Sequence, residues 1–221
     1  MNLSELADSI KRDFDQNQQI LSFDEYIKIV ESNPVSQLRG TAHYSADMMD
    51  FYGKKDNGFE VFHKPVDGIT AKIVGQEHVQ DHIYKTLRAF ARLGLNNRLI
   101  LLHGPNGSAK STIVTSFMQG LESYSHTKEG ATYTFSWIFP VDRVVRGSLG
   151  IRGGDAEKKS TSTSSYAHLT DEEISCVIPS DLKDHPILLI PQTHREAFFK
   201  KCDLPQTHQI PTRLQEGGLS H

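Results

Sequence analysis

The segment RLILLHGPNGSAKST, Arg98 to Thr112, constrains this chain most. An apolar run leads straight into a turn holding Gly104 and Gly107, and Lys110 follows with two hydroxyl residues. Backbone that must approach phosphate oxygens closely needs small residues, and Gly104, Gly107 and Ser108 supply them. A helix opening at the anion adds its first N–H groups and the positive end of its dipole. In that arrangement Pro105, Asn106 and Ala109 complete the cradle. Lys110 reaches the β- and γ-phosphates, and Ser111, followed by Thr112, holds Mg²⁺ through its hydroxyl. Alanine stands where the general pattern has glycine before the lysine. It fits there on the condition that the backbone stays at negative φ. The other reading of the segment is a glycine-rich turn between strand and helix with no ligand.

Elements that would surround such a loop are spread along the rest of the chain. Leu3, Leu6, Ile10 and Phe14 recur at helical spacing. Ser22 and Glu25 form a capping box for a helix that Pro34 stops. A third helix, around Ala42 to Phe51, carries Tyr44, Met48 and Phe51 on one side. An Asn57-Gly58 turn then leads into a short strand. After the turn-like Val74-Gly75-Gln76, a long helix presents Val79, Ile83, Leu87 and Phe90. LILLH reads as a strand covered on both faces, and a helix runs from Lys110 to Tyr124. ATYTFSWIF (131–139) and PILLIP read as further strands. Thr170 with Glu173 and Thr193 with Glu196 read as capping boxes for two short helices. Strands alternating with helices around a phosphate loop give an α/β fold, a three-layer P-loop NTPase sandwich with a mainly parallel sheet. A small helical region, residues 1–65, would precede the nucleotide-binding domain at 66–221.

Composition excludes several classes. At 37% hydrophobic and 23% charged residues the chain can build a core. Its 24 basic and 27 acidic residues nearly cancel, so there is no broad basic footprint for nucleic acid. No stretch approaches the roughly 18 apolar residues of a membrane span, and the N-terminus lacks the apolar centre of a signal peptide. A cytoplasmic location is expected, with Cys176 and Cys202 as free thiols. The 11 histidines are scattered and read as having no H-x-x-x-H or H-x-H pair with acidic or cysteine support; His43, His63 and His103 read as packing or surface residues.

Two resemblances sharpen the expectation. IVGQEHV, Ile73 to Val79, resembles the segment that lines the adenine pocket in AAA+ ATPases, which implies that Val74, Gly75 and Gln76 lie near adenine. GPNGSAKST, with its alanine, resembles the loop of the PrkA family of serine protein kinases. SFDEYIKIVESNP, TAHYSADMMDFYG, YTFSWIFP, SYAHLTDEEI and DHPILLIP are similar to that family in the same order. The resemblance implies ATP with Mg²⁺ as cofactors, a protein substrate phosphorylated on hydroxyls, and assembly in rings of like subunits. It also implies that this chain corresponds to the family's N-terminal portion, with the AAA+ domain incomplete and the kinase-like region absent.

Two elements of a complete machine are missing from the sequence. No apolar run after Ser111 ends in an Asp-Glu pair to hold Mg²⁺ and polarise water, although Asp142 after WIFPV is a partial substitute. No H-R-D-like catalytic loop or D-F-G is present, GIRGG is too short to stand for a kinase glycine loop, and neither Arg143 nor Arg146 is placed as a finger. The hydroxyl cluster KKSTSTSS, Lys158 to Ser165, reads as a polar loop or as a phosphoacceptor. The alternative function is a nucleotide-binding interaction module without catalysis of its own. A small-molecule P-loop kinase fits less well, since no acceptor site is recognisable.

Overall fold

Ser22 and Glu25 cap each other, and the first described helix starts from that contact. The Ser22 N–H donates to Glu25 Oε2 at 2.7 Å and the Glu25 N–H donates to Ser22 Oγ at 3.2 Å. The resulting helix, α1 (Phe23–Ser32), stops ahead of Pro34, which then opens the short α2 (Pro34–Gln37) from its first turn. The computed structural model describes residues 20–55, 58–63, 73–94, 99–141, 167 and 169–220. The helix expected around Leu3 to Phe14, Asn57, the boundary at 65/66, Arg98, Asp142, Arg143, Arg146, GIRGG and the loop from Lys158 to Ser165 lie outside these residues.

The chain divides into two compact units, one of Met1–Lys28 with Thr134–Asp184 and one of Ile29–Tyr133 with His185–His221. In the first, β3 (Ser136–Pro140) pairs antiparallel with β4 (Ile174–Pro179), with a register shift at Phe139/Pro140. The expected capping contact at Thr170 forms, its N–H meeting Glu173 Oε2 at 3.2 Å. It opens a single 3-10 turn (Asp171–Glu173) that runs directly into β4, not a helix. The β-branched residues of ISCVIP prefer the extended ladder once the turn is made.

The second unit holds the core. Helix α3 (Thr41–Tyr52) ends at Gly53, whose φ of 72° suits glycine. A two-residue hairpin, β1 (Lys54–Lys55) with β2 (Gly58–Phe59), and a 3-10 turn (Glu60–Phe62) come next. The long α4 (Glu77–Leu93) buries Gln80, Ile83, Leu87 and Phe90, and Val79 is partly buried beside them. Helix α5 (Lys110–Ser125) buries Ile113, Ser116, Gly120 and Tyr124. Met48, Met49, Phe62 and Tyr124 are fully enclosed where α3, α5 and the 3-10 turn meet. The buried face of α3 runs through Ala42, Ala46, Met48 and Met49, while Phe51 is 46% exposed, so Phe51 does not belong to the core face.

LILLH, PILLIP and the start of the helix at Thr193 differ from their sequence expectations. Leu99–His103 is irregular chain, and among the described residues no strand pairs with it. Ile100 and Leu102 pack on the core while Leu99 and Leu101 are 85% and 77% exposed, so one face is covered instead of two. The two sheets among the described residues are both antiparallel pairs. PILLIP folds as a 3-10 helix (Pro186–Leu189), because Pro186 suits a first turn and the His185 ring accepts the Ile187 N–H. Helix α6 (Gln192–Lys201) forms as expected but starts from Pro191, without a side-chain cap from Thr193. It is succeeded by α7 (Thr212–Glu216). Arg195, 3% exposed, ties these pieces together by donating to the carbonyls of Leu188, Ile190, Leu214 and Gly217. Among the described residues no helix is long and apolar enough to cross a membrane.

This packing can be tested at two positions. A Cβ at Gly120 would overlap Val61 Cγ2 and lie 3.1 Å from Met48 Sδ. Gly120→Ala is expected to lower stability by about 1–3 kcal/mol in urea unfolding, despite the better helix propensity of alanine. His185 Nδ1 accepts from Ile187 N at 3.3 Å, so the proton sits on Nε2, 2.9 Å from the Gln37 carbonyl, and the ring is neutral. Burial, partly opposed by that carbonyl, holds its pKa below the usual imidazole range. The unfolded chain takes up this proton more readily than the folded one. The contribution of His185 is therefore complete above about pH 6.5 and is lost as pH falls through the lower folded-state value. Unfolding midpoints should drop between pH 7 and pH 5, and His185→Gln should reduce that drop.

Candidate nucleotide cleft

Helix α4 and the Leu99–Ile113 segment enclose a cleft of about 610 Å³, within the size range of small-molecule sites. The glycine-containing turn contributes Gly104, Pro105, Ser108 and Lys110 to it. Opposite them stand Gln76, His78, His82 and Thr86, with Val79 and Ile83 from the apolar side of α4. Of the twelve residues expected at a nucleotide, these four loop residues and Gln76 line the same space. Asn106 and Gly107 form the exposed outer turn of the loop, and Ser111 is exposed in the first turn of α5. Thr112 is half-buried and does not line the cleft. Val74, 74% exposed, and Gly75 stand outside it.

Local chemistry explains how each end is held. Glu77, in the first turn of α4, accepts the Gly75 N–H at 3.0 Å. Its own N–H first, and then that of Gly75, hold its carboxyl below the usual range. This fixes the approach of Gln76, the residue preceding α4, to the cleft. At the other end, Ser108 Oγ donates to the Pro105 carbonyl at 2.8 Å, and Lys110 Nζ donates to the carbonyls of Gly104 at 2.9 Å and Pro105 at 2.6 Å. The Lys110 ammonium also lies 3.1 Å from Ser108 Oγ. Gly107 turns the chain at φ 81°.

Ala109 departs from the condition under which its methyl group is unstrained. It caps α5 with φ 58° and ψ 16°, a left-handed conformation, and its carbonyl accepts the Ile113 N–H at 2.9 Å. The partly buried methyl packs on the core.

The imidazoles of His78 and His82 and the hydroxyl of Thr86 were not anticipated. Their four-residue spacing in EHVQDHIYKT puts them on one face of α4, and that spacing was readable in the sequence. Among the described residues, no group of three or more His, Cys, Asp or Glu is placed to hold a metal ion.

The chain is 31% identical over 116 residues to the ATP-dependent protease PrkA of Bacillus subtilis strain 168. The likeness is to PrkA. It takes in 51% of this chain and 17% of the relative, so the chain spans well under a fifth of that protein's length in the match. It is a weak homology, and it places the chain no closer than PrkA-like. No family model matches the chain, and no solved structure matches it.

The conformation of Ala109 can be tested directly. A left-handed alanine is strained by about 1–2 kcal/mol, which the lower entropy of the unfolded alanine chain and the buried methyl largely offset. Ala109→Gly should therefore change stability by less than about 0.5 kcal/mol. Ala109→Val, β-branched at the same φ, should lower it by about 1–2 kcal/mol, read as the shift in urea midpoint.

Proposed function

We propose that this chain is the ATP-binding part of a PrkA-like protein, with the triphosphate on the loop from Gly104 to Thr112 and the base toward Gln76. The observation that carries the reading is Lys110 at the first turn of α5, facing a cleft whose other wall is α4. An ammonium beside a helix N-terminus suits an anion, and the apolar stretch of the cleft suits a base. Ser111, one residue on, would hold Mg²⁺ through its hydroxyl. The reading includes a P-loop sandwich with a mainly parallel sheet as the fold of the nucleotide-binding part.

The reaction served by this ATP is read from the resemblance as phosphoryl transfer to hydroxyls of a protein substrate. The name of the relative supports a second reading, ATP-dependent proteolysis. For the chain alone, binding without turnover is the expectation, because no apolar run after the loop ends in an Asp-Glu pair. Phosphate incorporated into casein by the full-length protein would favour the first reading, and ATP-dependent release of casein fragments the second.

Calorimetric titration of Mg²⁺-ATP tests the site itself. A dissociation constant on the order of micromolar is expected for the unmodified chain. Lys110→Ala should weaken it by about tenfold to a hundredfold, the scale of a lost charge-assisted hydrogen bond. Equal affinity in both proteins would refute a phosphate site at Lys110.

A further inference from the structure

The Lys110 ammonium has three protons, and three oxygens of its own loop take them: the Gly104 carbonyl at 2.9 Å, the Pro105 carbonyl at 2.6 Å and Ser108 Oγ at 3.1 Å. The Ser108 hydroxyl is the joint of this arrangement. It gives its single proton to the Pro105 carbonyl at 2.8 Å and offers a lone pair to Lys110. Pro105 O is crowded, since the Ser108 N–H also points at it from 3.4 Å. The seat for the hydroxyl exists because residue 104 has no side chain: a Cβ there would come 2.9 Å from Ser108 Oγ.

We propose that Ser108 is a positioning residue that holds Lys110 withdrawn onto the loop, so that a triphosphate binds only by exchanging these contacts for its own oxygens. This rests on the reading of the cleft as a nucleotide site. Withdrawal stabilises the free protein and so lowers affinity. With the hydroxyl proton committed to Pro105, Ser108 cannot donate to a phosphate without breaking the latch. Removing the hydroxyl deletes two of the loop's internal hydrogen bonds and leaves the backbone N–H groups and the lysine in place. Unlike Lys110→Ala, it should therefore tighten binding.

The test is Ser108→Ala, compared with the unmodified chain in two measurements. The first needs no nucleotide: limited acetylation with an N-hydroxysuccinimide ester, read by mass spectrometry at Lys110 and at the exposed Lys201 as reference. Lys110 should react more slowly than Lys201 in the unmodified chain and several-fold faster after Ser108→Ala. Rates at Lys110 that match Lys201 and ignore the substitution overturn the proposal. The second is calorimetric titration of Mg²⁺-ATP, where Ser108→Ala should bind about three- to tenfold tighter, the scale of one hydrogen bond. Unchanged or weaker binding overturns the proposal and leaves the nucleotide site standing. No binding by either protein refutes the nucleotide site and with it the role of Ser108 in affinity, whatever the acetylation rates show about the lysine.

Discussion

The buried guanidinium of Arg39 sets the geometry on which the candidate site depends. It donates to Asp47 Oδ2 at 2.9 Å, to the Tyr124 hydroxyl at 3.0 Å and to the Glu129 carbonyl at 2.8 Å. Its Cζ lies 4.6 Å from the centre of the Tyr44 ring. The Nε–H has no hydrogen-bond partner, but both terminal nitrogens are paired, and a charge this enclosed needs such partners to stay in the core, so the three are held to it and to each other. Tyr124 is the far end of the helix that begins at Lys110, roughly 21 Å away along the axis. Burial, opposed by Arg39, pushes the pKa of that phenol up to about 12, so it stays a neutral donor and acceptor across the ordinary pH range. Helix α5 is thus pinned at its C-terminal end by a polar network and along its length by Gly120 against Met48 and Val61. Its first turn is held to the core by Ile113, 3% exposed, and the loop lies just ahead of it.

The other wall of the cleft is fixed from its far side. Gln80, fully buried, accepts the Phe59 N–H at 2.9 Å and so locks α4 to the β1–β2 hairpin. Tyr84 and Arg88 reach Asp50 on α3 at 2.7 Å and in a short ion pair. These contacts use one side of α4 and leave His78, His82 and Thr86 toward the cleft. The helix therefore divides its labour by face: an apolar stripe for the core, acid-base pairs to α3, and polar heads toward the loop.

Features whose partners lie a few residues away were legible in the sequence. The Ser22–Glu25 box, the stop at Pro34, the stripe of α4 and the start of α5 at Lys110 all depend on contacts within one or two turns. Features with distant partners were not. LILLH has the composition of a covered strand, but its pairing depends on residues far along the chain, and its exposure alternates instead. PILLIP has the same composition and folds as a 3-10 turn; its deciding contacts, Pro186 and the His185 ring, are local, and apolar composition alone does not reveal them. Arg39 carried no signal at all: nothing near it in the sequence shows that its partners lie in α3 and at the end of α5. For the cleft, the loop itself was legible and the α4 wall was not, since a polar helix face looks the same whether it meets solvent or a ligand.

Alanine at position 109 shows what the loop asks of its sequence. Two left-handed residues flank Ser108, Gly107 at φ 81° and Ala109 at φ 58°. At Gly107 an added Cβ would meet nothing within 4 Å, so glycine is there for backbone freedom and not for space. At Ala109 the opposite balance holds, because the methyl finds apolar neighbours in the core and that contact offsets the strained backbone. A side chain larger than a methyl would add strain at the same φ, and glycine would forgo the contact while freeing the loop in the unfolded chain. The position therefore tolerates the two smallest residues on different grounds. A pattern that requires glycine before the lysine encodes the backbone term alone, and in this chain packing from below supplies the other.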